Sequence, residues 1–330
     1  MILVTGANGY VGVHLVERLC GEGMTVRALV RRGCSADEQA FIAEMGAQVF
    51  EADLEEEAIL LRALEGVKTV VHLLGSIERP ERGGYRDMHT RKTRLLLQAF
   101  KAAIPGEKRK CVAPRRAGAG GRVVYLSAIG AAAEAGNQYL KTKWEAEEEI
   151  RRSGLDYIII RSSLVFGRET GGRDSKIIKK LARMAAGRKA MPLVRGGRNR
   201  LQPIYIGDLV SCITAAITAP GCCRDVWEVG GPSVLTLREI TTLLIAVLGL
   251  RRRIVGIPYP VAYLAGLGAR LLRREGTLNL EQIRMSRCDT ICTLNRAESL
   301  LGNRLIGFGD GMAKTVARFG LAGLSGGEDQ

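Results

Sequence analysis

The feature that most constrains this chain is a glycine-rich segment at residues 5–12. An apolar run at residues 2–4 predicts a short buried strand before it, and residues 13–19 predict a helix after it. Glycines at such a turn let the backbone approach a ligand, and the helix N-terminus offers free N–H groups. The spacing G-x-x-G-x-x-G predicts a pyrophosphate site here, with an ordinary strand-to-helix turn as the alternative. The predicted contacts are Gly6, Asn8, Gly9, Tyr10, Val11 and Gly12.

A second predicted strand at residues 25–30 ends in Arg31 and Arg32. A site that prefers NAD carries an acidic residue roughly 20 residues beyond the glycines, where it accepts the ribose 2′-hydroxyl. Guanidinium groups at this place suit a 2′-phosphate instead. We therefore expect NADP(H) to be the preferred cofactor. NAD(H) stays possible if both arginines are merely solvated at a strand end.

Two further strand ends are expected to line the cofactor. A third strand is predicted at residues 47–50, and a near-continuous apolar strand at residues 68–75. The second pattern is typical of a parallel strand covered on both faces. Its histidine, His72, is expected to be a core residue rather than a catalyst. The assigned contacts are Asp53 and Leu54 at the adenine edge, and Leu73, Leu74 and Gly75 beside the ribose.

Composition narrows the classes of function. The 330 residues are 46% hydrophobic and 25% charged, as in a globular protein with a large core. The formal charge of +15 permits attraction to anionic cofactors, to an acidic protein partner or to a membrane surface. Aromatic residues make up only 5%, and no nucleic-acid motif is present, so a nucleic-acid partner is not expected.

Targeting and metal signals are equally sparse. Neither a secretory signal nor a bilayer-spanning run is visible, which predicts a cytoplasmic protein; the alternative is a peripheral position at the inner face of a membrane. The eight cysteines lack paired C-x-x-C spacing, so we expect free thiols and no metal site. Residues 104–121 are rich in basic side chains, proline and glycine. They predict an exposed loop, with docking of an acidic partner or lipid headgroups as the alternative.

A possible catalytic set follows the fifth predicted strand, residues 122–127. This strand ends in Ser127, and the next helix carries Tyr139 and Lys143. Residues i and i+4 share one helical face. A lysine ammonium beside a phenol favours the phenolate and lowers the tyrosine pKa, which makes an acid/base group for a carbonyl or an alcohol. Ser127 is expected to hold the same substrate oxygen.

Longer stretches carry a resemblance to a known family. Besides the glycine segment they are residues 125–131, 139–147, 155–168, 198–209 and 227–232. In these the chain resembles the extended and atypical short-chain dehydrogenase/reductases, which are NAD(P)-dependent epimerase/dehydratase-like proteins. Within that superfamily it is most similar to the group of the nucleotide-binding accessory subunit of respiratory complex I, alpha-subcomplex subunit nine.

The resemblance implies an α/β Rossmann fold with a seven-stranded, doubly wound parallel sheet and NADP(H) at the glycine segment. It implies that Tyr139 is the acid/base, that Lys143 binds the nicotinamide ribose, and that Ser127 orients the substrate. The chain departs from the family at Ala128, where active members often carry a second Ser or Thr. In the complex-I-like group the catalytic set is often incomplete, and the bound nucleotide can be structural.

Two units are expected along the chain. Residues 1–167 would form the NAD(P)-binding Rossmann core. Residues 168–330 would form a smaller mixed α/β lobe for a substrate or partner, interleaved with the end of the core. A helix at residues 237–248 is predicted to begin after Thr236 as its N-cap. The apolar helix at residues 263–272, with its basic end, is expected to pack on the lobe, with contact to a bilayer surface as the alternative.

Two functions from different classes follow. The set of Ser127, Tyr139 and Lys143 predicts an NADP(H)-dependent oxidoreductase or epimerase acting on an unidentified carbonyl or alcohol. The subgroup resemblance, Ala128 and the positive charge favour instead a non-catalytic, nucleotide-bound accessory or assembly subunit of a complex I-like membrane assembly. The sequence leaves the substrate and the oligomeric state open.

Overall fold

The computed structural model describes residues 1–75, 84–104, 121–221, 224–271 and 280–316. Its strands are β1 (Ile2–Thr5), β2 (Val26–Val30), β3 (Gln48–Glu51), β4 (Thr69–His72), β5 (Arg122–Ala128), β6 (Asp156–Ser162), β7 (Val165–Phe166), β8 (Ala190–Val194), β9 (Arg200–Leu201), β10 (Ile204–Tyr205), β11 (Arg224–Val229), β12 (Leu235–Thr236) and β13 (Arg253–Ile257).

The helices are α1 (Tyr10–Gly21), α2 (Ala36–Glu44), α3 (Glu57–Ala63), α4 (Gly84–Arg86), α5 (Lys92–Ala103), α6 (Gln138–Arg152), α7 (Lys176–Gly187), α8 (Ile206–Thr218), α9 (Leu237–Val247), α10 (Tyr259–Leu271), α11 (Leu280–Met285), α12 (Arg296–Leu301) and α13 (Phe308–Val316). A π-helical turn, Asp87–Arg91, joins α4 to α5, and short 3-10 helices lie at Arg195–Gly197 and Gly302–Arg304.

A seven-stranded parallel sheet forms the centre of the molecule, in the order β11-β6-β5-β4-β1-β2-β3. Its middle strands are apolar and buried because helices cover both faces. Side chains of α1, α2 and α8 pack on one face, and those of α3, α5 and α6 pack on the other. The predicted doubly wound Rossmann sheet is confirmed. The strand order reverses between β1 and β4, where such folds form a ligand crevice at the carboxyl ends of the strands.

The second half of the chain is shared between the core and a smaller lobe. Strand β11 completes the central sheet beside β6, and α8 packs against α1. The smaller lobe has its own apolar cluster, to which α7, α9 and α13 contribute, and three two-stranded pairings, β7–β10, β8–β13 and β9–β12. The division into two units at residue 167 stays a prediction. Thr236 caps α9 as predicted, in a reciprocal capping box with Glu239.

The helical segment at residues 84–103 is not a continuous α-helix. The structure has the π-helical turn between α4 and α5, where the Thr93 hydroxyl donates to the carbonyl of His89. A side chain that takes a backbone carbonyl in this way competes with the regular helical hydrogen bond. The helix predicted at residues 263–272 begins earlier, at Tyr259. Of the basic loop predicted at residues 104–121, residues 105–120 lie outside the described residues.

Candidate active site

The glycine segment forms the turn between β1 and α1, as the spacing predicted. Gly6 has a φ of +67°, a conformation that favours glycine. A Cβ on Gly12 would overlap the carbonyl oxygen of Gly6 and lie 2.7 Å from that of Ala7, so α1 can start here only with glycine. Gly9 caps α1 without a side chain, which leaves N–H groups of the first turn to a ligand.

The end of β4 passes directly beside this turn. A Cβ on Gly6 would lie 3.4 Å from the carbonyl carbon of Leu73 and 3.5 Å from the backbone nitrogen of Leu74. Gly75 follows as an exposed residue. The predicted ribose segment and the predicted pyrophosphate turn are thus in contact.

The end of β2 presents the two predicted arginines. Arg31 and Arg32 are exposed, and the Arg32 guanidinium lies 2.8 Å from a carboxylate oxygen of Glu56. In the glycine turn, Asn8 donates to Glu38 of α2 at 3.2 Å, and Glu38 also pairs with Arg173 of the lobe. Three arginines and two carboxylates therefore lie at the end of β2 and beside the glycine turn, where the adenosine ribose of a dinucleotide would be expected.

The two residues assigned to the adenine edge differ in exposure. Asp53 is half-buried in the turn after β3, and its carbonyl accepts from the backbone N–H of Glu56. Leu54 is buried in the apolar layer beneath α3 and α5, so any contact with adenine would come from its backbone.

Lys143 lies on the inner face of α6, at the ends of β4 and β5. Its ammonium donates to the carbonyl of Leu126 at 2.9 Å and to that of Leu74 at 3.5 Å, and it lies 4.8 Å from the ring centre of Tyr125. The side chain is buried, and this burial lowers its pKa to about 7, against a smaller opposing effect of Glu147. Lys143 can therefore exchange a proton near neutral pH.

Tyr139 is half-buried in the first turn of α6. Asn137 caps this helix by accepting from the backbone of Leu140, and the backbone of Gln138 donates to Glu281 of α11 at 2.8 Å. Burial and, to a smaller extent, the neighbouring Tyr85 raise the pKa of Tyr139 to about 12. The expected lowering of the Tyr139 pKa by Lys143 is wrong in this arrangement, because the ammonium is directed to main-chain carbonyls.

Ser127 is hydrogen-bonded to a carboxylate of α6. Its hydroxyl donates to the carboxylate of Glu147 at 2.6 Å, and both side chains are buried. Glu147 also binds Arg161 through two hydrogen bonds, at 2.9 and 2.7 Å, and Arg151 at 2.8 Å. This differs from the expected role of Ser127, since orienting a substrate would require its hydroxyl to leave a buried carboxylate. Ala128, the next residue, is half-buried and offers no hydroxyl.

His89 is a site residue that the sequence reasoning missed. Its ring lies 5.5 Å from that of Tyr139 and 5.8 Å from that of Tyr85. Both His89 Nε2 and the Lys143 ammonium lie within 3.3 Å of the point where a Cβ on Gly75 would sit. The available signal was a tyrosine and a histidine spaced i, i+4 on the helix after β4, which place two aromatic side chains on one face.

The protonation state of His89 follows from its neighbours. The Thr142 hydroxyl donates to the carbonyl of Gln138 at 2.8 Å, so we assign it as the acceptor from His89 Nδ1, also at 2.8 Å. His89 Nε2 then carries a lone pair, and it has no hydrogen-bond partner among the described residues. Burial, helped by Lys143, lowers the His89 pKa to about 2 and keeps the ring neutral. The site therefore contains a buried acceptor that is free to bind a hydroxyl group.

His72 is buried in the sheet as predicted, and it supports the π-helical turn. Its Nε2 lies 2.9 Å from the Thr93 hydroxyl, and its Nδ1 lies 2.7 Å from that of Thr5. Because Thr93 donates to the carbonyl of His89, its oxygen accepts from His72. Hydrogen bonds thus run from β1 through β4 to the turn that holds His89.

Together these residues provide a phenol that holds its proton, a lysine that titrates near neutrality and a neutral imidazole acceptor. Such groups can deliver a proton to a developing alkoxide and hydrogen-bond its hydroxyl neighbours. Across the described ranges, no three His, Cys, Asp or Glu side chains are grouped to hold a metal ion. In the same ranges, no helix is both long and apolar enough to span a bilayer.

Comparison with known proteins identifies the class that this fold and site define. The sequence profile of the NAD dependent epimerase/dehydratase family matches residues 2–230. The chain belongs to this family, whose members bind NAD(P) and include epimerases, dehydratases and reductases.

Individual relatives are more distant. The chain is 27% identical over 266 residues to the mitochondrial NADH dehydrogenase [ubiquinone] 1 alpha subcomplex subunit 9 of Arabidopsis thaliana. The match covers 78% of this chain and only 60% of that relative. It is 24% identical to the ceramide reductase of Caulobacter vibrioides, over 81% of this chain and 76% of that protein.

Among solved structures, the NADPH-dependent quinone oxidoreductase of Escherichia coli, complexed with NADPH, superposes with a TM-score of 0.69 at 20% identity. The superposition covers 94% of this chain and 97% of that one. At this identity the likeness concerns the fold alone.

Proposed function

We propose that this chain is an NADP(H)-dependent oxidoreductase or epimerase that acts on a carbonyl or alcohol carbon. The observation that carries the proposal is that the predicted cofactor turn and the predicted catalytic helix meet at the carboxyl end of β4. Leu73 packs against Gly6 of the pyrophosphate turn, and Leu74 accepts from Lys143. One strand end therefore joins the residues suited to a dinucleotide with those suited to proton transfer. The reductases among the relatives support the same class.

In this proposal the residues of α6 and the π-helical turn handle the proton. A bound nicotinamide would supply or accept the hydride. Tyr139 gives its phenolic proton to the substrate oxygen during reduction and takes it back during oxidation. Lys143 lies one helical turn away, and its ammonium, held by the carbonyls of Leu74 and Leu126, would bind the nicotinamide ribose. His89 Nε2 accepts a hydrogen bond from a hydroxyl group in the site.

Replacement of the phenol tests this role. Tyr139→Phe should abolish NADPH oxidation with a panel of aldehydes, ketones and quinones, while the affinity for NADPH stays unchanged. The matched control is Tyr157→Phe, which removes the hydroxyl of a buried tyrosine on β6. Turnover that survives in Tyr139→Phe would refute the assignment.

The preference for NADP(H) rests on Arg31 and Arg32, which are both exposed at the end of β2. Removing two cations from a 2′-phosphate site should weaken NADPH binding by at least about tenfold, since charge-assisted hydrogen bonds contribute roughly 1.5–3 kcal/mol each. Binding of NADH should change little. Arg31→Ala/Arg32→Ala can be compared with Arg183→Ala, an exposed arginine on α7. Equal loss for both cofactors would show that the arginines do not read the 2′-phosphate.

A second candidate is a non-catalytic, nucleotide-bound accessory or assembly subunit of a complex I-like membrane assembly. Three observations favour it: the Ser127 hydroxyl is bound to Glu147, position 128 is an alanine, and the plant relative is a complex I subunit. The two candidates differ in how the cofactor exchanges. NADPH that exchanges within seconds to minutes supports the enzyme, whereas NADPH that stays bound for hours supports the accessory subunit. Fluorescence of bound NADPH, chased with excess NADP⁺, measures this directly.

A further inference from the structure

An uncharged apolar segment in the C-terminal lobe lies between two groups of arginines. Residues 254–269 contain no Asp, Glu, Lys or Arg. They form most of β13 and α10. A run of this length is too short to span a bilayer and fits either a buried helix or a helix lying on a membrane surface. The arginines that flank it in sequence are Arg251, Arg252 and Arg253 before it, and Arg270, Arg273 and Arg274 after it.

The exposure of the side chains decides between these two alternatives. On one side of α10, Ala262 is buried, and a Cβ on Gly266 would lie 2.7 Å from Ile283 of α11. The opposite side faces solvent with residues at i, i+3 and i+6, and a valine of the preceding strand β13 is also exposed. This apolar face consists of Val255 (49% exposed), Val261 (57%), Leu264 (66%) and Leu267 (38%).

Exposed large hydrophobic side chains are concentrated in this part of the molecule. Seven large hydrophobic side chains are exposed among the described residues, and four of them belong to the apolar face. Single exposed hydrophobic residues are common, whereas contiguous apolar patches mark interaction sites. The other three are Val234, Leu243 and Leu294.

The surroundings of the apolar face are cationic and aromatic. Arg251 and Arg253 are exposed at the start of β13. Arg287 lies 5.2 Å from the ring centre of Tyr259, and Arg284 lies 6.0 Å from that of Tyr263. Tyrosine and arginine beside an apolar helix face suit the headgroup level of a bilayer, where anionic lipids attract basic residues.

We propose that the apolar face and the exposed arginines Arg251, Arg253 and Arg287 dock this protein on an anionic lipid bilayer. Helix α10 lies in the membrane surface with Val261, Leu264 and Leu267 among the acyl chains. These three arginines bind the phosphate groups of the lipids, in agreement with the charge of +15. The proposal does not depend on the cofactor chemistry.

Cosedimentation of the full chain with vesicles tests the docking. Vesicles of phosphatidylcholine with one quarter phosphatidylglycerol should bind the protein, and vesicles of pure phosphatidylcholine should bind it at least about tenfold less, because each basic residue near an anionic surface contributes roughly 1 kcal/mol. Leu264→Asp should weaken binding to the mixed vesicles by at least about tenfold, as it replaces a side chain that would be buried in lipid. The control Leu294→Asp changes an isolated side chain that is 77% exposed, and it should bind as the unmodified protein does.

A charge-matched pair separates the local arginines from the overall charge. Arg251→Glu/Arg253→Glu should lose vesicle binding, while Arg62→Glu/Arg183→Glu, with the same net charge, should keep most of it. Both arginines of the control pair are exposed and lie on α3 and α7. Circular dichroism and NADPH binding confirm that each variant is folded. Equal loss in both pairs would overturn the proposal, because it would make the attraction non-specific.

Other occupants of the apolar face give different results. If a second copy of the chain covers it, light scattering shows a dimer that Leu264→Asp dissociates, and vesicles then compete poorly. If an acidic protein is the partner, neither vesicle type binds. Either result would overturn the lipid assignment.

Discussion

Lys143 should make the stability of this protein depend on pH between 7 and 9. Burial holds its pKa at about 7 in the folded protein, against an ordinary value of 10.5. Between these two values the unfolded chain binds one proton more than the folded protein at this site. The free energy of unfolding therefore rises with pH in this window. This gain is lost again as the pH falls toward 7. Below pH 7 both states are protonated, and the contribution stops changing.

The magnitude follows from the two titration curves. From pH 7 to pH 9 they give an increase of about 2 kcal/mol in the free energy of unfolding. Lys143→Met keeps the length of the side chain and removes the titration. The unmodified protein should therefore gain about 2 kcal/mol on this variant between pH 7 and pH 9, while other titrating groups cancel in the comparison.

Urea denaturation of both proteins at pH 7, 8 and 9 measures this difference. Lys101→Met, a change at an exposed lysine of α5, serves as the control and should track the unmodified protein at every pH. A difference between the unmodified protein and Lys143→Met that stays constant from pH 7 to 9 would refute the reasoning. It would mean that the ammonium is not held in a desolvated site.

Three further changes have definite outcomes. Gly12→Ala should abolish the thermal stabilisation by NADPH, because its Cβ would overlap the carbonyl oxygen of Gly6; a retained shift in melting temperature would contradict this. Glu147→Gln should lower the free energy of unfolding by about 1.5–3 kcal/mol in urea, since the half-buried guanidinium groups of Arg151 and Arg161 lose their charged partner; a loss below about 0.5 kcal/mol would argue against that network. Thr236→Ala should cost about 1 kcal/mol by removing the cap of α9, and Thr236→Ser should restore it.

Local sequence patterns predicted the scaffold well. Apolar runs marked the buried strands, because a parallel strand covered on both faces needs no polar positions. The glycine spacing predicted the turn at β1, since its steric demand comes from residues within the turn itself. The i, i+4 spacing placed Tyr139 and Lys143 on one helix face.

Local sequence patterns did not predict the orientations of the polar side chains in the site. The Lys143 ammonium is directed to carbonyls at the ends of β4 and β5, and this depends on how α6 packs across the sheet. The partner of Ser127 is Glu147, 20 residues along the chain, on a helix whose rotation no local pattern sets. The π-helical turn depends on hydrogen bonds that begin at His72. Contacts of this kind appear only once the elements are assembled.

The π-helical turn also makes the site sensitive to chain length. Such a turn holds about one residue more than an α-helical turn. It therefore rotates the side chains of α4 by about 100° around the helix axis relative to those of α5. Deletion of one residue within Asp87–Arg91 would restore a continuous helix and rotate Tyr85 away from Tyr139. The contact between these two tyrosine rings would be lost, although every side chain of α6 would remain. A related chain that is one residue shorter in this turn would keep the tyrosine and the lysine of α6. It would nevertheless present a different surface to its ligand.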